Sequence, residues 1–122
     1  MIKEIAFTVY PAKDVSALRE WYERHLNLKF SGPYVEDGVE KYNETTIGGT
    51  TFALMTPQWV EREPGTAGSV VFEVDDIDAE VARLRETGVT VEDPYATPVC
   101  KIAGFVDGEG NKVAFHQITV QH

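Results

Sequence analysis

The sequence predicts an α+β fold: a single domain of 122 residues built from two copies of a strand–helix–three-strand unit. Three observations predict it. Asp14 and Asp76 each stand ahead of a helical stripe, and the stretch after each stripe breaks into short β-prone runs. Placing Asp14 on Asp76 and Leu28 on Val89 gives a repeat of roughly 61 or 62 residues. Module 1 is expected over about residues 1–57, a linker over about 58–68 and module 2 over about 69–120.

In the first module, Ile2–Tyr10 is rich in β-branched and aromatic residues and reads as a strand. Val15, Leu18, Trp21, Tyr22, His25 and Leu26 then recur at three- and four-residue steps, which predicts a helix. Asp14 caps its free amides, and Asn27 suits a left-handed helix end. Strands are expected over Leu28–Glu36, Val39–Ile47 and Thr50–Thr56. The pairs Asp37-Gly38 and Gly48-Gly49 close the hairpins because both tolerate positive φ.

Pro57, Pro64, Gly65 and Gly68 mark the linker. The order then restarts with a strand over Ser69–Val74. A helix follows, capped by Asp75 and Asp76, striped by Ile77, Val81 and Leu84, and closed by Gly88. Val89–Glu92, Val99–Val106 and Lys112–Val120 read as the remaining strands, with Asp107–Asn111 a loop between the last two.

Composition excludes several function classes. Hydrophobic residues make up 43% and charged residues 25%, an ordinary globular balance. The formal net charge of −9 disfavours phosphate backbones and anionic lipid, so neither nucleic acid nor a membrane is an expected partner. The same charge would help recruit a cationic ligand. No apolar run approaches the roughly 18 residues of a membrane span. Cys100 is the single cysteine, so no internal disulfide can form, and a cytoplasmic protein is expected. Phosphate-loop, serine-elbow and dinucleotide fingerprints are absent.

Several stretches together resemble the vicinal oxygen chelate superfamily, which includes glyoxalase I, bleomycin-resistance proteins and extradiol dioxygenases. They are Asp14 with Trp21-Tyr22 and Leu26-Asn27-Leu28, Val74-Asp75-Asp76, and Asp107-Gly108-Glu109-Gly110-Asn111 followed by Val113-Ala114-Phe115-His116. Turns and caps recur in many folds; their order and spacing along nearly the whole chain carry the resemblance. It implies two βαβββ modules forming a curved mixed sheet around a cavity, often in a homodimer. Fold is implied far more firmly than activity.

Metal-using members of that superfamily supply one His or Glu from each of four strands. The matching positions here are Phe7, Leu54, Ser69 and Ala114; if Leu54 is displaced by one, Ala53 and Met55 are its alternatives. None offers a carboxylate or imidazole, and a divalent ion needs about three such donors. No metal and no cofactor are therefore expected. The departure counts against glyoxalase or dioxygenase chemistry, in which the ion polarises substrate oxygens.

Of the histidines, His25 reads as a surface residue at a helix end, and His122 at the chain end is expected to be disordered. His116 shares strand parity with Ala114, and Glu73 shares parity with Ser69. Glu73 and His116 are thus candidate catalytic residues or a ligand anchor. The alternative is a rim histidine paired with Lys112 or water.

Hairpin arithmetic pairs Ile47 with Thr50, so Thr45 faces Phe52 and Asn43 faces Leu54. The Asp37-Gly38 turn, if no bulge intervenes, sets Tyr34 opposite Lys41. The expected concave wall then holds Phe7, Tyr34, Lys41, Asn43, Thr45, Phe52 and Leu54, rings mixed with hydrogen-bonding groups as in small-molecule pockets. Ser69, Glu73, Ala114 and His116 complete the candidate ligand-binding set. Phe7, Phe52 and Leu54 are equally compatible with a filled core.

Trp59 in the linker reads as a lid, a dimer contact or cover for a core edge. Trp21 and Tyr22 read as packing between helix and sheet, Cys100 as an inert thiol and Asp107–Asn111 as a turn rather than a calcium loop. Three functions follow, the blandest being a dimeric partner module whose cavity is filled. The first is metal-independent binding of a small organic molecule, cationic or aromatic, in the concave cavity, similar to the resemblance's bleomycin-resistance-type sequestration. The second is a lyase, isomerase or dioxygenase-like enzyme with a repurposed site around Glu73 and His116.

Overall fold

In the computed structural model, which describes residues 1–120, the chain forms two units, Met1–Ala67 and Gly68–His122. Unit 1 contains β1 (Thr8–Pro11), α1 (Val15–Leu26), β2 (Tyr34–Glu36), β3 (Val39–Ile47), β4 (Thr50–Met55) and the short α2 (Pro57–Val60). Unit 2 contains β5 (Val70–Glu73), α3 (Ile77–Glu86), β6 (Tyr95–Ala96), β7 (Cys100–Val106) and β8 (Lys112–Ile118). Each unit has one four-stranded mixed sheet, ordered β1-β4-β3-β2 in the first and β5-β8-β7-β6 in the second. In both, the first strand runs parallel to the last and the other pairs are antiparallel. The fold is α+β with the predicted order repeated. His122 lies outside the described residues.

Helix starts and ends follow their sequence signals. The Asp14 carboxylate accepts from the Ala17 amide at 3.0 Å, and Asp76 accepts from Ala79 at 3.1 Å. Asn27 ends α1 with φ 55°, the left-handed conformation that Asn tolerates. Val15, Leu18 and Tyr22 are buried along α1, and Ile77, Val81 and Leu84 along α3. Burying a Leu, Ile or Val side chain stabilises by about 1.5–3 kcal/mol, so these stripes hold each helix to its own sheet. The α1 helix packs on β3 and β4, and α3 on β7 and β8.

Strand boundaries differ from expectation where a segment lacks a partner. Residues 2–7 were expected to be strand, yet β1 begins at Thr8, where it pairs with Phe52. Ile2 and Ile5 upstream are exposed. The strand expected over Leu28–Glu36 is reduced to Tyr34–Glu36. Before it, a single backbone bond, from the Ser31 amide to the Glu44 carbonyl at 3.0 Å, is supplemented by side chains: Thr45 Oγ1 donates to the Lys29 carbonyl at 2.8 Å, and the Gly32 amide donates to Asn43 Oδ1 at 3.0 Å. Pro33 then offers no amide donor. The strand expected over Val89–Glu92 is also absent; Glu92 makes one ladder-like bond to the Gly104 carbonyl before Pro94, and the pairing strand is Tyr95–Ala96. The linker contains α2, with Pro57 at its first turn.

A polar cluster joins α1 to β3. Glu40, its side chain 10% exposed, accepts from Ser16 Oγ at 2.7 Å, Asn43 Nδ2 at 2.7 Å and Arg19 Nε at 3.1 Å. Burial alone would raise the Glu40 carboxyl; the bonds from Ser16, Asn43 and Arg19 and the guanidinium charge outweigh it and hold the carboxyl below its ordinary value. A depressed folded-state value stabilises the fold above the unfolded group's pKa and loses that contribution as pH falls through the folded one. In urea titrations, Glu40→Gln is expected to cost about 1–3 kcal/mol near neutral pH. The gap to the wild type should narrow as pH drops below 4.5. A gap unchanged between pH 7 and 3 would show that Glu40 does not supply the acid sensitivity.

Candidate functional site

A sheet covered by one helix has one helix-facing side and one open side, and strand alternation decides which residues stand on each. In unit 1 the Gly48-Gly49 turn sets the expected register: Ile47 pairs with Thr50, Thr45 with Phe52, and Asn43 with Leu54. That row faces α1. The Phe52 ring lies 5.2 Å from Tyr22 on α1, 5.7 Å from Tyr10 and 6.3 Å from Phe30. Phe52, Leu54, Asn43 and Thr45 are 2%, 0%, 3% and 6% exposed.

The expected concave wall is thereby corrected. Asn43, Thr45, Phe52 and Leu54 are core residues beneath α1, and the open side carries the residues between them. Asn43 organises the backbone, its Oδ1 accepting from the Gly32 and Glu44 amides. A register shift also intervenes in the first hairpin: Tyr34 pairs with Tyr42 rather than Lys41, while Val35 pairs with Glu40. Lys41 is the extra residue of this bulge. Alternation resets there, which brings Glu40 and Asn43 to the same side and explains their mutual hydrogen bond.

On the open side of unit 1, Ala53 lies between Val9 and Glu44, and Met55 pairs with Tyr42. Phe7 stands edge-on to Tyr42 at 6.0 Å, on the open side as expected. Tyr42 donates to Glu44 Oε1 at 3.1 Å. Burial and the neighbouring carboxylate push the Tyr42 hydroxyl up to about 12, so it stays protonated as a donor. Tyr34 stacks obliquely on Trp59 at 5.7 Å, so Trp59 covers the β2 edge of the sheet.

Unit 2 has the same division. Gln117 Oε1 accepts from the Ile77 amide at the start of α3, and Lys101 pairs with Asp78 on α3 at 3.1 Å. The strand positions bearing Gln117 and Lys101 therefore face the helix. Ala114 and His116 alternate with them on the open side, together with Val71, Glu73, Ile102 and Gly104. The predicted Glu73–His116 pair forms across β5 and β8, with Nδ1 2.5 Å from Oε1. The second Glu73 oxygen accepts from the Ile118 amide at 2.8 Å. That amide first, and His116 second, hold the Glu73 carboxyl below its ordinary value. Ser69, just before β5, donates its hydroxyl to the Lys112 carbonyl at 3.3 Å.

Ala53 in unit 1 and Ala114 in unit 2 hold equivalent places, flanked by Val9 and Glu44 in one and by Val71 and Gly104 in the other. Each unit sets a glutamate over a glycine beside this alanine. Glu44 Cγ lies 2.7 Å from where a Cβ on Gly32 would stand, and Glu92 Oε2 lies 3.1 Å from one on Gly104. Acid and glycine have exchanged strands between the copies. Sequence reasoning missed both glutamates, and Tyr42 with them, because it assigned the opposite parity in unit 1 and an unbroken strand before Pro94 in unit 2.

Other expectations resolve individually. His25, read as a surface histidine, is buried, its ring 4.8 Å from Trp21. Cys100 lies within 3.1 Å of Thr97 Oγ1. Asp107 Oδ1 accepts from the Glu109 and Asn111 amides, each at 2.9 Å, so the acidic loop is a turn closed on itself. A surface hollow of about 240 Å³ beside α2 is lined by Pro57, Gln58, Glu61, Arg62 and Glu63 and contains none of the predicted site residues.

The residues present do not fit the superfamily's metal. Phe7 is a ring, Ala114 a methyl, and the Ser69 hydroxyl is bonded to backbone. Leu54 faces α1, and its open-side neighbours Ala53 and Met55 carry no hard donor. Among the described residues, no three His, Cys, Asp or Glu side chains gather closely enough to hold an ion. No helix there is long and apolar enough to cross a membrane.

The family model of the Glyoxalase/Bleomycin resistance protein/Dioxygenase superfamily matches residues 4–115, and the chain belongs to that superfamily. The fold is similar to that of TnmS3, an antibiotic binding protein from Streptomyces sp. CB03234, with TM-score 0.83 and 24% identity over 97% of this chain and 98% of that one. A glyoxalase/bleomycin resistance protein from the same Streptomyces superposes with TM-score 0.75 and 25% identity over 89% and 96%. Lactoylglutathione lyase from Agrobacterium tumefaciens gives TM-score 0.75 and 21% identity over 95% and 94%. No curated protein sequence matches significantly.

The corrected parity has a measurable consequence. Phe52→Ala is expected to cost about 3–5 kcal/mol and Leu54→Ala about 2–5 kcal/mol in urea denaturation. Exposed Thr46→Ala on the other side should stay within about 0.5 kcal/mol. Stability untouched by Phe52→Ala would place that ring outside the core.

Proposed function

We propose that this chain binds a small organic molecule without a metal, on the open sides of its sheets, in the manner of the sequestration proteins of its superfamily. The observation that carries this reading is the donor set. Where metal-using members place His or Glu, this chain has Phe7, Leu54, Ser69 and Ala114, while rings and aliphatic groups occupy the open sides. Val71, Ile118 and Phe7 there are substantially exposed. Apolar surface with a few fixed polar groups suits a drug-sized ligand. The likeness to an antibiotic binding protein supports the same reading, and the net charge of −9 favours a cationic ligand. The working form is proposed to be a cytoplasmic homodimer.

Bleomycin, a cationic glycopeptide, is expected to raise the melting temperature. At a hundred times Kd the ligand adds about 2.7 kcal/mol. Mass spectrometry should then recover the compound unchanged. The absence of a shift across a broad panel of cationic and aromatic compounds would overturn the reading.

The Glu73–His116 contact favours a second reading, a lyase, isomerase or dioxygenase-like enzyme using that couple as acid and base. It predicts an altered compound after incubation, with turnover abolished by Glu73→Gln or His116→Ala and the melting curve preserved. Recovery of only unaltered ligand at every stage excludes it.

A further inference from the structure

Glu44 stands half-buried among aromatic rings on the open side of unit 1. Glu23, Glu40, Glu73 and Glu80 each pair with an Arg or His. Among the described residues no basic side chain pairs with Glu44. Tyr42 donates to one of its oxygens at 3.1 Å, and the other oxygen accepts no hydrogen bond from a described residue. Gly32 makes room for this placement. Glu44 Cγ lies 2.7 Å from where a Cβ there would stand, so any larger residue would displace the carboxylate.

The rings lie alongside. Phe7 is edge-on to Tyr42 at 6.0 Å. Tyr34, the cross-strand partner of Tyr42, stands on the same side with the Trp59 ring 5.7 Å away. Phe7, Tyr34 and Trp59 are 42%, 52% and 44% exposed, so ring surface is open to solvent. Ala53 beneath them is fully buried, which makes the side chains themselves the surface. The other strand positions on this side, Val9, Thr46, Thr51, Ala53 and Met55, carry no charge.

A carboxylate without a cation, bordered by aromatic rings, is a site for an organic cation, because ring faces and carboxylate both attract positive charge. The kind of cation follows from the acceptors. A primary ammonium has three N–H donors to satisfy and a metal ion needs several oxygens. Next to Tyr42 the neighbours Ala53 and Met55 offer no side-chain oxygen. A quaternary ammonium has no N–H to satisfy and suits ring faces. We infer that Glu44, Phe7 and Tyr42 hold the quaternary ammonium head of an organic cation, with Tyr34 and Trp59 offering ring surface to the body it carries. This rests on the proposed binding function and narrows its ligand class to quaternary ammonium compounds.

The experiment is an NMR titration of the full-length protein with choline and with 3,3-dimethylbutan-1-ol, its uncharged carbon isostere, at ionic strength fixed with sodium chloride. Choline is expected to shift the Phe7 and Tyr42 ring signals and the Met55 methyl along a saturable curve. It should bind about threefold to thirtyfold more tightly than the alcohol, as cation–ring attraction allows. Glu44→Gln and Phe7→Leu should each remove most of that preference with the melting curve preserved. Gly32→Ala keeps the carboxylate but displaces it, and should weaken choline while leaving the alcohol unaffected. Equal binding of the two probes overturns the inference. So does a choline preference that survives both Glu44→Gln and Phe7→Leu, or a titration that moves none of these signals. A bleomycin melting shift without choline binding refutes this inference alone, whereas failure of both refutes the broader binding reading with it.

Discussion

Each four-stranded sheet has one long helix packed on it, and a helix covers only one side. Because successive strand residues point to opposite sides, that single packing choice sorts every residue of the sheet into core or open surface. In unit 1 the sorting is done by Tyr22 and Phe52, whose rings meet 5.2 Å apart. Once Phe52 is under α1, Leu54, Thr45 and Asn43 must follow it there, and Ala53, Glu44 and Tyr42 must face away. In unit 2 the Gln117–Ile77 bond and the Lys101–Asp78 pair do the same. The character of either open surface, and any chemistry on it, descends from these contacts.

The polar cluster around Glu40 refines the arrangement. A carboxylate mostly withdrawn from water is tolerated because Ser16, Asn43 and Arg19 satisfy it. The bulge at Lys41 brings Glu40 to that side, and Asn43 then binds the Gly32 amide, so the chain after α1 runs beside β3 on side-chain bonds and the one backbone bond from Ser31 to Glu44. Helix packing, bulge and shortened strand are one connected solution. It leaves Tyr34 at the sheet edge against Trp59.

The two units share connectivity but have diverged on their open sides. Both retain an alanine at the centre of the row, and both set a glutamate over a glycine beside it, with the contributing strands exchanged. One row further along, unit 1 has Met55 and Tyr42 where unit 2 has His116 and Ile102. The imidazole and its fixed carboxylate thus belong to one copy alone. The chain keeps the scaffold of its superfamily, and among the described residues no three His, Cys, Asp or Glu side chains gather closely enough to hold an ion.

Local signals in the chain determined the element order, the caps at Asp14 and Asp76, the left-handed end at Asn27, the Gly48-Gly49 hairpin register and the Glu73–His116 neighbour relation. The Glu73–His116 relation came through parity with Ser69 and Ala114, positions that the superfamily resemblance supplied. The caps, the helix end and the hairpin register depend on residues close in sequence or on parity counted from a two-residue turn. The superfamily was legible for the same reason, since its motifs are caps and turns in fixed order. Only the tertiary structure decided which side of each sheet the helix takes, where the strands lose their partners and that a bulge displaces Lys41. In β4, Phe52 and Leu54 alternate with Ala53 and Met55, so both sides are apolar and the pattern cannot say which one is core. Contact with a ring on α1 makes that choice, and it moved four expected wall residues into the interior.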